Sequence, residues 1–313
     1  MQMEVCSAEL FVDEKIRIMK NRLAPEGGAQ DGMKRACVVT GIHGDELEGQ
    51  YVAYELARRI KEHPENLAGV VDIYPAINPL GVNSITRGVP LFDLDMNRVF
   101  PGNEDNSMVE HLAAKVVEDI AGADLAFDIH ASNIFLREIP QIRINEITAE
   151  RLVPLAKRAN VDFVWVHSAA TVLESTLAYS LNAIGTPTLV VEMGVGMRVT
   201  REYGDALCDG ILNLLHNLGI WTGQPAVGLK KPIVSTDGEV SFINADAPGI
   251  FLPAVRHENY VHEGEELGVI ADPHTGDVRT RIASPIDGLL FTLREYPVVY
   301  MGSLVARILG GVK

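Results

Sequence analysis

Short apolar runs alternate with longer segments of helical period between about residues 33 and 223. The apolar runs are rich in β-branched residues, which favours strands, and the segments between them carry apolar residues at three- and four-residue spacing, which favours helices. This alternation is typical of an α/β fold with a mixed, largely parallel central sheet flanked by helices. It predicts strands at residues 36–40, 70–74, 125–129, 162–166 and 188–191. It predicts helices at residues 47–62, 108–121, 149–160, 175–184 and 201–218, with Ser107 and Glu110 forming a capping box at the second.

The pattern changes after Gly223, where GQPAVGLKKPIVSTDGE is rich in glycine and proline. The rest of the chain lacks helical periodicity and carries short strand-like runs at residues 249–253, 267–271, 278–283, 289–293 and 303–308. We therefore predict two domains, an α/β domain over residues 1–230 and a small all-β C-terminal module over residues 231–313. The segment before Met33 is interpreted as a strand and a linker, without a predicted position in the fold.

Composition restricts the partners and the compartment. The chain of 313 residues has 27 basic and 42 acidic side chains and a formal charge of −15, the wrong sign for binding a phosphate backbone, so we expect no nucleic-acid partner. No apolar stretch approaches the roughly 20 residues that cross a bilayer, and the start does not resemble a signal peptide. Three cysteines without CxxC spacing disfavour a disulfide framework. We therefore expect a cytoplasmic protein that does not bind membranes.

Ionisable residues stand where three of the predicted strands end. The run ACVVT leads into GIHGDELEG, with His43 and Glu46, while LAFDI ends at His130 and TLVV ends at Glu192. Because ligands bind outside the carboxyl ends of parallel strands, we expect these four side chains to meet at one edge of the sheet. Gly41 and Gly44, which flank His43, allow close approach of the backbone.

Two histidines and one carboxylate are the ligand set of a catalytic zinc site, because they leave one coordination position for water. We therefore predict that His43, Glu46 and His130 bind one zinc ion per chain. Glu192 follows a buried run and must find a partner or face a cavity, so it is interpreted as a general base. The alternative is a structural role, in which it caps a nearby backbone or pairs with an arginine. Asp128 lies two residues before His130 on the same side of the strand and is predicted to orient a ligand.

A polar, turn-rich segment, TRGVPLFDLDMNRVFPG, offers Arg87, Asn97 and Arg98. Guanidinium groups bind carboxylates through paired hydrogen bonds, and a nearby amide adds orientation. The segment therefore predicts a substrate that carries a carboxylate.

An ordered set of motifs resembles a known family. GIHGDELEG, NP, TR, DLDMNRVFPG, DIHAS and VEMG occur in this order and resemble the succinylglutamate desuccinylase/aspartoacylase family, which belongs to the broader zinc carboxypeptidase-like, M14-type fold. The resemblance is close over residues 35–200 and extends to the β-rich tail. Each motif alone is weak, but the ordered set is specific.

The resemblance implies roles for the residues that match. His43, Glu46 and His130 would bind zinc, and Glu192 would be the general acid/base. Arg87 would polarise the scissile carbonyl. The pair Asn97 and Arg98 would hold a substrate carboxylate. The implied activity is hydrolysis of the amide bond of a small N-acyl amino acid or a related carboxylate-bearing amide.

Two parts of the sequence limit this transfer. ASNIFLREIPQIRI, which follows the third ligand, departs from the family pattern, and we expect Gln141 and Arg143 there to bind substrate and set specificity. The tail, with IASPIDGLLF, resembles a biotinyl/lipoyl-type hybrid fold but lacks a carrier-type lysine site, so we predict no covalent cofactor.

Two other functions remain open. A metallocarboxypeptidase acting on short peptides would use the same ligands, and the fold alone does not distinguish it from a deacylase. The other is a non-catalytic binding protein that has kept the fold, with or without the metal. A homodimer is the expected assembly from base rates alone.

Overall fold

The strands form one large mixed sheet and one small sheet, and helices pack on both faces of the large one. The structure, a computed structural model, describes residues 1–168, 174–236 and 239–311. The strands are β1 (Gln2–Glu9), β2 (Lys15–Leu23), β3 (Arg35–Thr40), β4 (Val70–Tyr74), β5 (Leu125–Ala131), β6 (Leu136–Asn145), β7 (Phe163–His167), β8 (Thr188–Gly194), β9 (Ile233–Thr236), β10 (Val240–Asn244), β11 (Gly249–Pro253), β12 (Tyr260–Val261), β13 (Glu266–Ala271), β14 (Val278–Ala283), β15 (Gly288–Arg294), β16 (Val298–Val299) and β17 (Leu304–Leu309). The helices are α1 (Glu48–Glu62), α2 (Pro79–Ser84), α3 (Met108–Ile120), α4 (Ala149–Ala156), α5 (Leu177–Ala183) and α6 (Arg201–Leu218), with short 3-10 turns at Pro64–Asn66, Met96–Arg98 and Glu146–Thr148.

The centre of the large sheet is parallel. Within the described residues this sheet has 13 strands, and its main path runs β1-β2-β4-β3-β5-β8-β6-β15-β17-β10. Strands β4, β3, β5 and β8 pair in parallel, as do β6, β7 and β9. The remaining pairs, including β8 with β6, are antiparallel. The predicted α/β fold is therefore confirmed as a mixed sheet with helices, although the parallel pairing is limited to these two groups of strands.

The central strands are apolar on both faces because helices cover both. Val38 and Phe127 belong to a core that α1 and α6 share, whereas Cys37, Val39 and Ala126 belong to a second core with α3. Buried parallel strands therefore appear in the sequence as continuous apolar runs. On the α3 face of β5 and β8, polar side chains interrupt this pattern, and that interruption marks the functional site.

The chain before Met33 is a β-hairpin rather than a strand and a linker. Strand β1 pairs with β2, and β2 pairs antiparallel with β4, so the hairpin extends the sheet. Its sequences QMEVCSAE and KIRIMKNRL alternate apolar and polar residues, the pattern of a half-buried strand.

The strands after residue 231 continue the large sheet. Strand β9 pairs in parallel with β7, and β15 pairs with the first part of β6, followed by β17 and β10. Strands β14, β13, β11 and β16 form a separate four-stranded sheet in the part of the chain that is described. The division into domains at residues 1–230 and 231–313 stays a prediction, as does the hybrid-fold resemblance of the tail.

The helices agree with the predicted segments. The capping box at α3 is confirmed, since Ser107 and Glu110 each bond the other's backbone. Helix α4 ends at Ala156, four residues before the predicted end. Among the described residues, no helix has the length and apolar character needed to span a membrane.

Candidate active site

The loop between β3 and α1 and the ends of β5 and β8 bring the predicted site residues together. His43 and Glu46 lie in the loop, and the register of β5 and β8 places His130 directly beside Glu192. The loop lies against helix α2 at Gly44, where an added Cβ would be 1.9 Å from the carbonyl carbon of Gly81. Only glycine fits this approach, which accounts for the second glycine of GIHG.

His43, Glu46 and His130 converge on one point. Their candidate ligand atoms all lie within 4.8 Å of one another. Nδ1 of His43 lies 2.7 Å from Oε1 of Glu46, and Nδ1 of His130 lies 3.0 Å from Oε2 of Glu46 and 3.3 Å from Nδ1 of His43. Ligand nitrogens at zinc bond lengths of about 2.0–2.1 Å in tetrahedral geometry are about 3.3 Å apart. The spacing of the two imidazoles therefore fits a tetrahedral metal ion.

A carboxylate lies behind each imidazole. Nε2 of His43 lies 3.1 Å from Oδ1 of Asp95, and Nε2 of His130 lies 3.1 Å from Oδ1 of Asp128. The contact between His43 and Asp95 is a hydrogen bond, which favours the tautomer with the proton on Nε2 and the lone pair of Nδ1 toward the shared point. Asp128 lies at the same distance from His130, but its oxygens have no hydrogen-bond partner among the described residues. Carboxylate–histidine pairs of this kind orient metal ligands in proteins.

The electrostatics of the site favour a bound cation. Burial raises the pKa of Glu46, but its close contacts with His130 and His43 lower it more, so Glu46 is held ionised. Burial also raises the pKa of Asp95, but its hydrogen bond with His43 and the nearby charges lower it more, so the net shift is downward. Burial lowers the pKa of His130, but Asp128 and Glu46 raise it well above its usual value. These carboxylates thus stabilise positive charge at the centre of the site.

Glu192 is the acidic group next to the three candidate ligands. Burial raises its pKa above the ordinary value, although the nearby Arg143 guanidinium and His130 act in the opposite direction. Nη1 of Arg143 donates to Oε1 of Glu192 at 3.3 Å, a long contact. A carboxyl with a raised pKa at this position is suited to accept and return a proton.

Arg87, Asn97 and Arg98 lie at the rim of the site. Arg87 donates from Nη1 to Oε1 of Glu46 at 3.0 Å and from Nη2 to Oδ2 of Asp95 at 3.3 Å, which places its guanidinium beside the three ligands. The side-chain oxygen of Asn97 accepts from the backbone nitrogen of Leu177 at the start of α5. Nη1 of Arg98 donates to the carbonyl oxygen of Asn97 at 2.7 Å.

A cavity of about 510 Å³ connects these groups. It contains polar side chains near the metal ligands and apolar side chains farther along β6, α4, α5 and β8. Its lining includes His43, Arg87, Asn97, Arg98, Asp128, His130, Arg143, Ile144, Leu152, Ala178, Val190 and Glu192.

Gln141 occupies a different position from the other predicted substrate residues. It is fully buried in β6 opposite Glu192, and it is not among the residues that line the cavity. Neither of its side-chain amide atoms has a hydrogen-bond partner among the described residues. Its predicted contact with substrate would require a change in its surroundings.

The sequence did not reveal two carboxylates of the site. Asp95 lies inside DLDMNR, two residues before Asn97, and its role depends on a loop contact with His43 that no periodicity predicts. Glu138 lies in β6, a strand that was not predicted, and it binds Arg143. The alternating pattern of LREIPQIRIN was the available signal for that strand.

These features define an α/β protein with a candidate metal site and an acidic group at the carboxyl ends of the parallel strands in a mixed sheet. A model of the succinylglutamate desuccinylase/aspartoacylase catalytic domain matches residues 32–218, and the chain belongs to this family. The resemblance that the motifs indicated is thereby confirmed. The family comprises deacylases that act on N-acyl amino acids.

Relatives with similar sequence and fold cover most of the chain. An N-alpha-acetyl-L-2,4-diaminobutyric acid deacetylase from Halomonas elongata is 24% identical over 285 residues, or 87% of this chain and 81% of that protein. The product-bound ectoine utilization protein EutE (DoeB) from Ruegeria pomeroyi has a TM-score of 0.80 at 22% identity and covers 94% of this chain and 89% of its own. A succinylglutamate desuccinylase/aspartoacylase from Rhodobacter sphaeroides has a TM-score of 0.79 at 24% identity, with coverages of 96% and 91%. At these identities the solved structures support the fold.

Proposed function

We propose that this protein is a zinc-dependent amidohydrolase that removes the acyl group from a small N-acyl amino acid or a related carboxylate-bearing amide. The observation that carries the proposal is the convergence of His43, Glu46 and His130, with Glu192 on the neighbouring strand beside His130. Membership of a deacylase family and the deacetylase name of the Halomonas relative support the same reaction.

The donor set fits zinc, because two neutral imidazoles and one carboxylate leave a position for water. His43, Glu46 and His130 would hold the ion, which, when bound, lowers the pKa of water toward neutrality and polarises the scissile carbonyl. With zinc bound, Asp95 would accept the proton on Nε2 of His43, and Asp128, 3.1 Å from Nε2 of His130, would do the same for the second imidazole.

The remaining steps belong to the side chains around the ligands. Glu192 takes a proton from the attacking water and returns it to the departing amine. Arg87 donates hydrogen bonds to the carbonyl oxygen as negative charge develops on it. Asn97 and Arg98 bind a carboxylate of the substrate, and Arg143 supplies a further guanidinium at the cavity wall. The products are a carboxylic acid and a free amine.

The cavity fits a small substrate. A volume of about 510 Å³ is within the range of roughly 300–1,000 Å³ that is common for small-molecule sites, and it admits an N-acyl amino acid as well as a short peptide. Family membership, and not the volume, supports deacylation over the metallocarboxypeptidase activity that the sequence left open.

The decisive experiment combines metal analysis with a substrate screen. Zinc content is measured by mass spectrometry for the wild type, for His130→Ala and for the control His262→Ala, whose side chain is exposed. The same proteins are tested for amine release from N-acetyl-L-2,4-diaminobutyrate, N-acetyl-L-aspartate, N-succinyl-L-glutamate and short peptides. We expect about one zinc per chain and amine release from an N-acyl amino acid, with both lost only in His130→Ala. Peptide cleavage in preference to deacylation would instead identify a carboxypeptidase.

The compartment and the assembly are further parts of the proposal. We infer a cytoplasmic enzyme that forms a homodimer. Cys37 and Cys208 are buried free thiols, and burial raises the pKa of each to about 12, which keeps them unreactive. Free thiols of this kind are compatible with the reducing cytoplasm. Cell fractionation tests the compartment, and light scattering of the purified protein tests the dimer.

A further inference from the structure

A buried carboxylate in β6 connects the C-terminal strands to the wall of the cavity. Glu138 is 1% exposed. It accepts two hydrogen bonds from Nη2 of Arg143, at 3.0 Å and 2.8 Å. It also accepts one from Nη1 of Arg307 in β17 and one from Oγ1 of Thr292 in β15, the latter at 3.3 Å. Glu138 therefore joins one guanidinium of the cavity wall to two side chains of the tail.

The opposite end of the Arg143 guanidinium faces the site. Nη1 is 3.3 Å from Oε1 of Glu192, and Arg143 lines the cavity. Trp165 packs beneath both arginines, with the guanidinium carbon of Arg143 at 5.6 Å and that of Arg307 at 5.7 Å from its ring centre. A continuous path of polar contacts thus runs from Arg307 through Glu138 and Arg143 to Glu192.

This arrangement determines which carboxylate Arg143 binds. A charge-assisted hydrogen bond is stronger when it is shorter. Nη2 of Arg143 lies 3.0 Å and 2.8 Å from the two oxygens of Glu138, whereas Nη1 reaches Glu192 only at 3.3 Å, so Glu138 is the main partner of Arg143. Arg307 and Thr292 hold Glu138 in place for this contact. The two arginines also balance the charges of the two glutamates, which burial requires.

We propose that Arg307 is a positioning residue that acts through Glu138 to fix the guanidinium of Arg143 at the cavity wall, between Glu138 and Glu192. In this position Nη2 is held by Glu138, and Nη1 keeps only a long contact of 3.3 Å to Glu192, which a substrate carboxylate in the cavity can replace. The expected change in kinetics rests on the proposed function. The contact of Glu138 with Arg307 and Arg143 is tested separately, in an experiment that requires no hydrolysis.

The kinetic test uses Arg307→Leu and Arg307→Lys, with Arg281→Leu as a matched control. Arg281 is an exposed arginine of the same tail, and its ion-pair partner is Glu266. For the best N-acyl amino acid of the screen, we expect KM to rise about tenfold in Arg307→Leu, because a charge-assisted contact is loosened. We expect kcat to stay within about threefold and zinc content to match the control. The melting temperature of Arg307→Leu should fall below that of the control, because Glu138 is buried and loses a charged partner, so the kinetics are measured at a temperature where both variants are fully folded.

Comparisons with further variants distinguish a positioning role of Arg307 from a general loss of structure. Arg307→Lys keeps a cation beside Glu138 and is expected to recover part of the loss in KM, whereas Arg281→Leu should behave as the wild type. Thr292→Val, which keeps the shape of the side chain and removes one hydrogen bond to Glu138, should raise KM by a smaller factor. An unchanged KM in Arg307→Leu, or a loss that Arg307→Lys does not reduce at all, would overturn the proposal.

Tryptophan fluorescence tests the contact independently of hydrolysis. The chain has two tryptophans, so a Trp221→Phe background leaves Trp165 as the only reporter. Glu138→Gln in this background should change the intensity or the emission maximum of Trp165, because Arg143 and Arg307 lose their shared anchor above the ring. Glu266→Gln is the control. A wild type that hydrolyses none of the substrates would refute the proposed function, whereas an unchanged Trp165 signal in Glu138→Gln would refute the positioning role.

Discussion

Nε2 of His43 lies 3.1 Å from Oδ1 of Asp95, on the side of the ring that faces away from the two other ligands. Asp95 is therefore expected to fix the tautomer that directs Nδ1 at the metal. Loss of such a partner lowers metal affinity by about 10–100-fold. We expect Asp95→Asn to show a loss of this size in zinc competition against a chelator. Asp93→Asn, an exposed change in the same segment, is the control, and equal affinity in both variants would contradict the assignment.

Glu192→Gln removes the proton acceptor while it keeps the size of the side chain. Proton transfer by a positioned side chain contributes roughly 10²–10⁴-fold to the rate, so kcat should fall within that range. Zinc content should be unchanged, since Glu192 is not one of the three ligands. Glu202→Gln, at the exposed start of α6, provides the comparison. Retention of most of the wild-type kcat would assign proton transfer to another group.

Arg87→Lys keeps the charge but loses the fork of donors that meets Glu46 and Asp95. If Arg87 donates to the developing oxyanion, kcat should fall by about 10²–10³-fold, as it does when one such donor is removed. Arg98→Lys should instead raise KM, because Arg98 is proposed to bind the substrate in its ground state. Steady-state kinetics of the two variants measure this contrast. A rise in KM alone for Arg87→Lys would place Arg87 with the binding residues.

Asp72 anchors the N-terminal hairpin to the sheet and should make stability depend on pH. The carboxylate is fully buried and accepts from Nε and Nη2 of Arg22 at 2.7 Å and 2.6 Å, with Nζ of Lys20 at 3.4 Å. Removing one partner of a buried ion pair costs about 3–5 kcal/mol, and Asp72→Asn should lower the free energy of unfolding at neutral pH by about that amount.

The direction of the pH effect follows from the pKa of Asp72. Burial raises this pKa, but Arg22 and Lys20 lower it more, to below the ordinary 3.8. A lowered pKa in the folded state contributes stability that is fully present above the unfolded value and is lost as the pH falls below it. Urea unfolding should therefore show a constant difference between wild type and Asp72→Asn from about pH 8 to about pH 5, narrowing below about pH 4. A difference that already narrows between pH 8 and pH 5 would indicate another titrating group.

The part of the site that the sequence predicted depends on strand ends. His43, His130 and Glu192 follow apolar runs that are buried on both faces, so their meeting at one edge follows from parallel pairing alone. The roles of Asp95 and Glu138 depend on tertiary contacts between segments that are distant in the sequence. Such contacts produce no periodic pattern of residues from which they could be predicted.

The fold was predicted best where both faces of a strand are buried. Strand β6 carries Pro140 and charged residues between its apolar ones, and the N-terminal hairpin has the same alternation, so neither resembles the apolar runs at the centre. The extension of the sheet by the tail could not be predicted, because the pairing of β15 with β6 joins segments about 150 residues apart in the sequence.

The pairing of β15 with residues 136–138 of β6 also has a consequence for shortened forms of this protein. A chain that ends before Gly288 would leave the backbone donors and acceptors of that part of β6 open at a free edge. Open edges of this kind pair with other chains, so the truncated protein should self-associate into insoluble aggregates. We therefore expect the tail to protect solubility as well as to complete the sheet.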